Sequence, residues 1–189
     1  DGYEVPTFGF TNTYEPTEAT LTGESALQVT KTVEGAPSPD GVEYSFTLMA
    51  QNTAEGPVAN IGGLTDGKLT AHTTGVINQD GVDNTGDESQ TVSFGTLTFS
   101  KPGRYTFSVV EDAPAADPGW SYDITAKTVT VVVSDRNEEG QYDGALHIAN
   151  VTGNPVQVTN SYKSGSVVVG GDGAQQQITV QKSVTGADS

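Results

Sequence analysis

The sequence predicts an all-β protein whose strands form a β-sandwich. Glycine (23) and proline (9) are plentiful and threonine and valine are common, which favours strands joined by many turns. Apolar residues alternate with polar ones at a period of two in short segments, and clusters of Gly, Pro, Asn, Asp and Ser separate those segments. No window carries the apolar stripe of an amphipathic helix, and no apolar run is long enough to span a bilayer.

The elements follow in order. Residues 8–14, Phe-Gly-Phe-Thr-Asn-Thr-Tyr, alternate as a strand, and Glu15–Ala26 has the composition of a linker. Leu27–Val33 is the next strand, followed by Val42–Ala50, where Tyr44, Phe46 and Leu48 share a face. In 51–89 short strands are expected near Val58–Leu64 and Lys68–His72, ahead of an acidic loop, Asn78–Ser89. Gln90–Ser100 is a strand whose parity slips between Phe94 and Leu97, and a bulge at Gly95 is expected to absorb the slip. Lys101-Pro102-Gly103 has turn chemistry and is expected to hand over to Arg104–Glu111 as a hairpin. A Pro-rich loop (Asp112–Pro118), a short Gly119–Asp123 segment and the strand Lys127–Ser134 come next. An acidic turn at Asp135–Gly140 precedes the strands Ala145–Asn150 and Pro155–Lys163, and Lys163–Gln176 is again linker-like.

An internal echo orders these pieces. Residues 8–14 resemble residues 156–162, Val-Gln-Val-Thr-Asn-Ser-Tyr, and residues 178–184, Ile-Thr-Val-Gln-Lys-Ser-Val, resemble residues 27–33, Leu-Gln-Val-Thr-Lys-Thr-Val. A tandem array with a period of roughly 150 residues explains both echoes. The expected organisation is the last strand of a preceding repeat (1–14), a linker (15–26), a complete repeat (27–163), a second linker (164–176) and the first strand of a following repeat (177–189). The chain then reads as a fragment of something longer, with the 8–14 and 178–184 strands available to pair with each other, with the sandwich edge or with another copy.

Bulk properties narrow the partners. A net charge of −16 argues against nucleic acid and anionic membrane, both of which reward Lys and Arg. With no cysteine there is no disulfide, no thiol nucleophile and no thiolate metal site, so an extracellular β-protein of this kind lacks the usual covalent staple.

Three strands each place one polar residue in an apolar row. Lys31 follows Leu27 and Val29 and precedes Val33; Glu111 continues Tyr105, Phe107 and Val109; Asn160 lies between Val158 and Tyr162. A lysine, a carboxylate and an amide aimed at one core are costly unless they meet. If they meet, they can react: the Lys31 amine condenses with the Asn160 carboxamide, ammonia leaves, and an isopeptide bond remains. Burial disfavours the ammonium and so frees the nucleophile, a buried acid at Glu111 can shuttle the proton, and fixed contact makes the reaction intramolecular. The alternative arrangement is a buried Lys31–Glu111 ion pair with Asn160 as a hydrogen-bonded neighbour. Recurrence of the lysine (Lys182) and the asparagine (Asn12) in the flanking echoes favours reaction, since the chain has only six lysines.

Other polar clusters are weaker. Asp135, Asn137, Glu139 and Gly140 fit the opening of a calcium-loop pattern, but Leu146 stands where its closing glutamate belongs, so a solvated hairpin turn is the first reading. Asp80, Asp83, Asn84, Asp87 and Glu88 can gather a cation, though a charged loop is the first reading. His72 and His147 are too few for a metal site, and Trp120 with Tyr122 reads as core or edge packing before it reads as a sugar platform. No metal or other cofactor is expected.

The strings Val-Thr-Lys-Thr-Val-Glu-Gly (29–35), Phe94–Asp112, Gly-Trp-Ser-Tyr-Asp (119–123), Lys-Thr-Val-Thr-Val-Val-Val (127–133) and Thr-Asn-Ser-Tyr (159–162) together resemble the pilin isopeptide linkage repeat of Gram-positive surface proteins, a family that includes streptococcal major pilin backbones. The resemblance covers 27–163 and implies an immunoglobulin-like sandwich with a self-generated bond between Lys31 and Asn160, promoted by Glu111. It likewise implies that Asn12 and Lys182 are halves of the bonds in neighbouring repeats. The implied role is a structural stalk or shaft module of a cell-wall-anchored extracellular pilin or adhesin, working beside neighbouring repeats of the same protein. The chemistry is single-turnover, so the domain is not expected to be an enzyme. The alternative role is an adhesin module whose 51–89 insertion binds a host protein or glycan; a carbohydrate-active sandwich would need paired acids in an aromatic cleft, to which the sequence does not point.

Overall fold

The computed structural model describes residues 8–39, 41–77, 89–112, 115 and 117–165. Twelve strands lie among them: β1 (Ala19–Leu21), β2 (Gln28–Glu34), β3 (Ser45–Gln51), β4 (Ile61–Gly62), β5 (Lys68–His72), β6 (Ser89–Ser93), β7 (Leu97–Phe99), β8 (Gly103–Asp112), β9 (Trp120–Ser121), β10 (Lys127–Ser134), β11 (His147–Thr152) and β12 (Val156–Tyr162). They form a five-stranded sheet, β11-β10-β8-β3-β5, a four-stranded sheet, β6-β2-β12-β9, and a three-stranded sheet, β1-β7-β4. This is the all-β, immunoglobulin-like sandwich expected.

Period-two alternation builds the core. Val29, Lys31 and Val33 of β2, Tyr105, Phe107, Val109 and Glu111 of β8, and Val156, Val158 and Asn160 of β12 are all buried, while the intervening residues are more exposed. Each apolar side chain removed from water in this way is worth about 1.5–3 kcal/mol relative to leaving it exposed. The long β8 is the spine of the larger sheet, paired antiparallel with β3 on one side and β10 on the other. In the four-stranded sheet β2 and β12 pair in parallel, with Lys31 opposite Val158 and Asn160 opposite Val33. The first and last strands of the 27–163 repeat therefore lie side by side.

Several expectations are corrected. The segment read as a linker holds β1, whose Ala19 and Leu21 are buried against β7 in the register Ala19–Phe99 and Leu21–Leu97; its short apolar alternation finds a sheet edge despite the polar residues around it. Gln90–Ser100 is not one bulged strand but two, β6 and β7, in different sheets. Gly95, at φ +93°, makes the corner between them, so the slip in parity marks a change of sheet. The Lys101–Gly103 turn likewise joins β7 to β8 across two sheets and makes no hairpin; Tyr105 anchors it by donating its hydroxyl to the Lys101 carbonyl at 2.7 Å. Within 58–64 the chain forms a 3-10 turn, Val58–Asn60, and then β4.

The described part of 51–89 belongs to the framework: Ile61, Ala71 and Ile77 join the core, and β5 pairs with β3. Residues 8–16 form no strand among the described residues, and Phe8 and Phe10 are 76% and 91% exposed. An alternating segment becomes a strand only when a ladder takes up its backbone groups, and none does so here. The 178–184 echo with Lys182, and Asp80, Asp83, Asn84, Asp87 and Glu88, fall outside the described residues.

Candidate cross-linking site

The three polar residues of the apolar rows converge. Lys31 reaches from β2 in the four-stranded sheet and Glu111 from β8 in the five-stranded one, and the Lys31 Nζ donates to Glu111 Oε2 at 2.8 Å with both side chains fully buried. Asn160 comes from β12, beside β2, and its Nδ2 donates to the other carboxylate oxygen, Oε1, at 2.7 Å. One carboxylate thus holds the amine and the amide together. The Asn160 Oδ1 is occupied as well, accepting the backbone N–H of Asp123 at 2.9 Å. This pattern fixes the orientation of the amide: nitrogen toward the acceptor carboxylate, oxygen toward the donor N–H.

Local structure enforces the register that brings these groups together. Ahead of β12, Asn154 clamps the start of β2: its Oδ1 accepts the Gln28 N–H at 2.7 Å and its Nδ2 donates to the Ala26 carbonyl at 3.1 Å. The side chain extends the parallel ladder by one rung where the backbone turns through the cis Asn154–Pro155 bond. At the other end Gly35, at φ +86°, lets the chain leave β2 against β12; a Cβ there would collide with the Tyr162 carbonyl. Slippage by one residue would turn both Lys31 and Asn160 out of the core.

Electrostatics favour a reactive amine. Burial holds the Lys31 ammonium below the usual lysine range, against the opposing hydrogen bond and charge of Glu111 and the more distant charge of Asp123. Lys31 also lies over the Tyr44 ring, 4.6 Å from its centroid. The Tyr44 hydroxyl is buried with no partner among the described residues, and burial, followed by the charge of Glu111, pushes its ionisation well above the ordinary phenol range.

Tyr44, Asn154 and the Asp123 N–H were not legible as parts of this site. Tyr44 reads as one more apolar position in the row with Phe46 and Leu48, Asn154 as a turn residue before proline, and a backbone N–H has no sequence signature. Among the other candidates, Asn137 uses its Oδ1 to accept the N–H groups of Glu139 and Gln141 at 3.2 and 2.9 Å, which closes a solvated turn. Asp135 stands at the start of that turn. His147 sits against Asp143 at 3.0 Å on the surface. Trp120 packs against Tyr162, ring centroids 5.5 Å apart, at the edge where β9 meets β12. Asn12 is exposed and belongs to no described strand.

The chain is similar to known pilins. A pilin of Streptococcus pyogenes serotype M1 is 37% identical over 92 residues, which make up 46% of this chain and 27% of that protein. The crystal structure of the major pilin from Streptococcus pyogenes superposes with a TM-score of 0.46 at 26% identity, covering 73% of this chain and 50% of that one. The major pilin protein T-13 of the same species gives 0.41 at 20% identity, over 76% and 54%. This chain therefore spans about a quarter of the curated relative and about half of the solved chains. The sequence model of the FctA family, described as the Spy0128-like isopeptide containing domain, matches residues 27–163. The chain belongs to that family.

Proposed function

We propose that residues 27–163 form a structural shaft repeat of a Gram-positive surface pilin, sealed by a Lys31–Asn160 isopeptide bond that the domain makes itself. The observation that carries the reading is the shared carboxylate: the amine and the amide occupy the two oxygens of Glu111 in a fully buried pocket.

The chemistry follows from that arrangement. A proton passes from the Lys31 Nζ to Glu111 along the 2.8 Å hydrogen bond, leaving a neutral amine beside a neutral acid. The Nζ attacks the Asn160 Cγ and the carbonyl electron pair moves to Oδ1. The nitrogen sheds a second proton, Glu111 delivers one to Nδ2, the Cγ–Nδ2 bond breaks, and ammonia leaves, taking up the remaining proton as ammonium. One lysine ammonium and one carboxamide thus become one secondary amide and one ammonium, and Glu111 returns to its starting state. The group that shuttles the proton is consumed by nothing, but the lysine and asparagine are, so the domain reacts once.

The mechanical consequence suits a shaft. The bond ties the first strand of the repeat to the last and closes a loop of about 130 residues, which by analogy with disulfides removes about 4–5 kcal/mol of unfolded-state entropy. Tension entering at β2 and leaving at β12 then crosses a covalent bridge and does not shear the sheets. In the assembled protein the neighbours are further repeats of the same chain, with Asn12 and Lys182 as halves of their bonds, and other pilin subunits of a wall-anchored extracellular fibre. Intact mass tests the reading: the purified chain should weigh one ammonia less than its sequence, and Lys31→Ala, Asn160→Ala or Glu111→Ala should each restore the full mass. A wild-type chain of full sequence mass refutes it.

A further inference from the structure

We infer that the backbone N–H of Asp123 is the oxyanion donor of the cross-linking reaction, and that the Asp123 side chain is the positioning group that aims it. The inference rests on the reading above and adds the component that Lys31, Glu111 and Asn160 do not supply. When an amine attacks a carboxamide, negative charge collects on the carbonyl oxygen, and a donor already pointing there stabilises the transition state without reorganisation. In this arrangement Glu111 makes no contact with that oxygen, because its own two oxygens face the Lys31 Nζ and the Asn160 Nδ2. The Asn160 Oδ1 instead receives the Asp123 N–H at 2.9 Å.

The loop that presents this N–H is held in shape. The pairing of β9 with β12 ends at Ser121–Ser161, so the backbone of 122–126 is free to turn toward the Asn160 side chain. Asp123 then shapes the turn: its Oδ1 accepts the Thr125 N–H at 3.2 Å, and its Oδ2 pairs with the Lys127 Nζ at 2.9 Å. The second contact has an electrostatic purpose. A bare carboxylate on the residue that donates to a developing oxyanion would repel it, and the lysine offsets that charge.

Replacing Asp123 by its α-hydroxy acid exchanges the amide N–H for an ester oxygen. Each chain is made by pulsed cell-free translation with nonsense suppression, and intact mass is followed through the chase. The wild type loses ammonia. The ester at 123 should do so about 100-fold more slowly, the low end of what one such donor contributes. An ester at Ile124, whose N–H bonds the Tyr122 carbonyl in the same loop, should stay within a few-fold of wild type. Asp123→Ala, which keeps the N–H but loses its anchors, should slow bonding about tenfold, with Asp123→Asn recovering part through the Thr125 contact. Both esters are also placed in Asn160→Ala chains, where melting reports the fold alone. Bonding at the wild-type rate with the 123 ester overturns the inference and leaves the cross-link standing. Equal slowing by both esters, or slowing that tracks lost thermal stability, also overturns it by reducing the N–H to a structural contact. A wild type that never loses ammonia removes the underlying reading instead.

Discussion

Two lysine–carboxylate pairs, Lys31–Glu111 and Lys127–Asp123, have nearly the same geometry and different surroundings. Their N···O distances are 2.8 and 2.9 Å, but the first pair is fully buried while the second has its side chains 34% and 25% exposed. At the surface, water and salt screen the attraction, and the pair adds little stability. In the interior the same contact is a problem of desolvation: two charges taken out of water cost several kcal/mol each, and the pair repays this only in part. A neighbouring carboxamide offers a way out, because condensation removes the lysine's charge altogether. Contact distance does not set the lysine of the proposed bond apart from the other; dryness and a third partner do.

The largest test of this contrast removes the acid from the buried pair. Glu111→Ala strands an ammonium in the core, costing about 3–5 kcal/mol, and forfeits the bridge, costing about 4–5 kcal/mol more. Denaturant unfolding should show both losses and mass spectrometry the unreacted chain. Asn160→Ala forfeits the bridge, about 4–5 kcal/mol, and its own two hydrogen bonds, but it keeps the ion pair and should lose less than Glu111→Ala. If the two variants are equally destabilised, the buried pair carries no desolvation penalty and the comparison fails.

Smaller effects sharpen it. Asn154→Ala exposes two unpaired backbone groups at the mouth of the β2–β12 seam and should cost about 1–3 kcal/mol without preventing ammonia loss. Lys127→Ala should cost less than about 1 kcal/mol, and the purified chain should still carry the bonded mass. A full-mass Lys127→Ala protein would mean that the exposed pair is as necessary as the buried one.

Much of this site was legible in the sequence, because a polar residue at core parity is a conspicuous error unless it has partners. Lys31, Glu111 and Asn160 each broke an apolar row, and parity placed all three on inner faces. Parity says which face a residue takes but not which sheet it joins. For that reason β6 and β7 read as one strand with a bulge at Gly95, and the Lys101–Gly103 turn read as a hairpin. β1 was hidden for another reason: three residues amid Thr and Glu are too short for a period, and only the waiting edge of β7 makes them a strand.

The two pairs should also respond oppositely to pH, and this is the finest of the tests. Asp123 is held below the ordinary aspartate range chiefly by the hydrogen bond from Lys127, helped by Thr125. Its contribution is therefore present above the unfolded value of 3.8 and is lost as pH falls through the lower folded value. Lys31 departs the other way. With its folded value below the ordinary 10.5, the unfolded chain binds more protons than the folded one in the window beneath 10.5, so stability rises with pH there. That slope exists only while Lys31 titrates. It should appear in Asn160→Ala on the alkaline side below 10.5, before Tyr44 begins to oppose it, and vanish in the wild type under the proposed bond, which turns the lysine into an amide. Asp123→Asn should flatten the acid limb and leave the alkaline one unchanged. Equal alkaline slopes in wild type and Asn160→Ala would place a titrating lysine in both proteins and contradict the bond from a direction independent of mass.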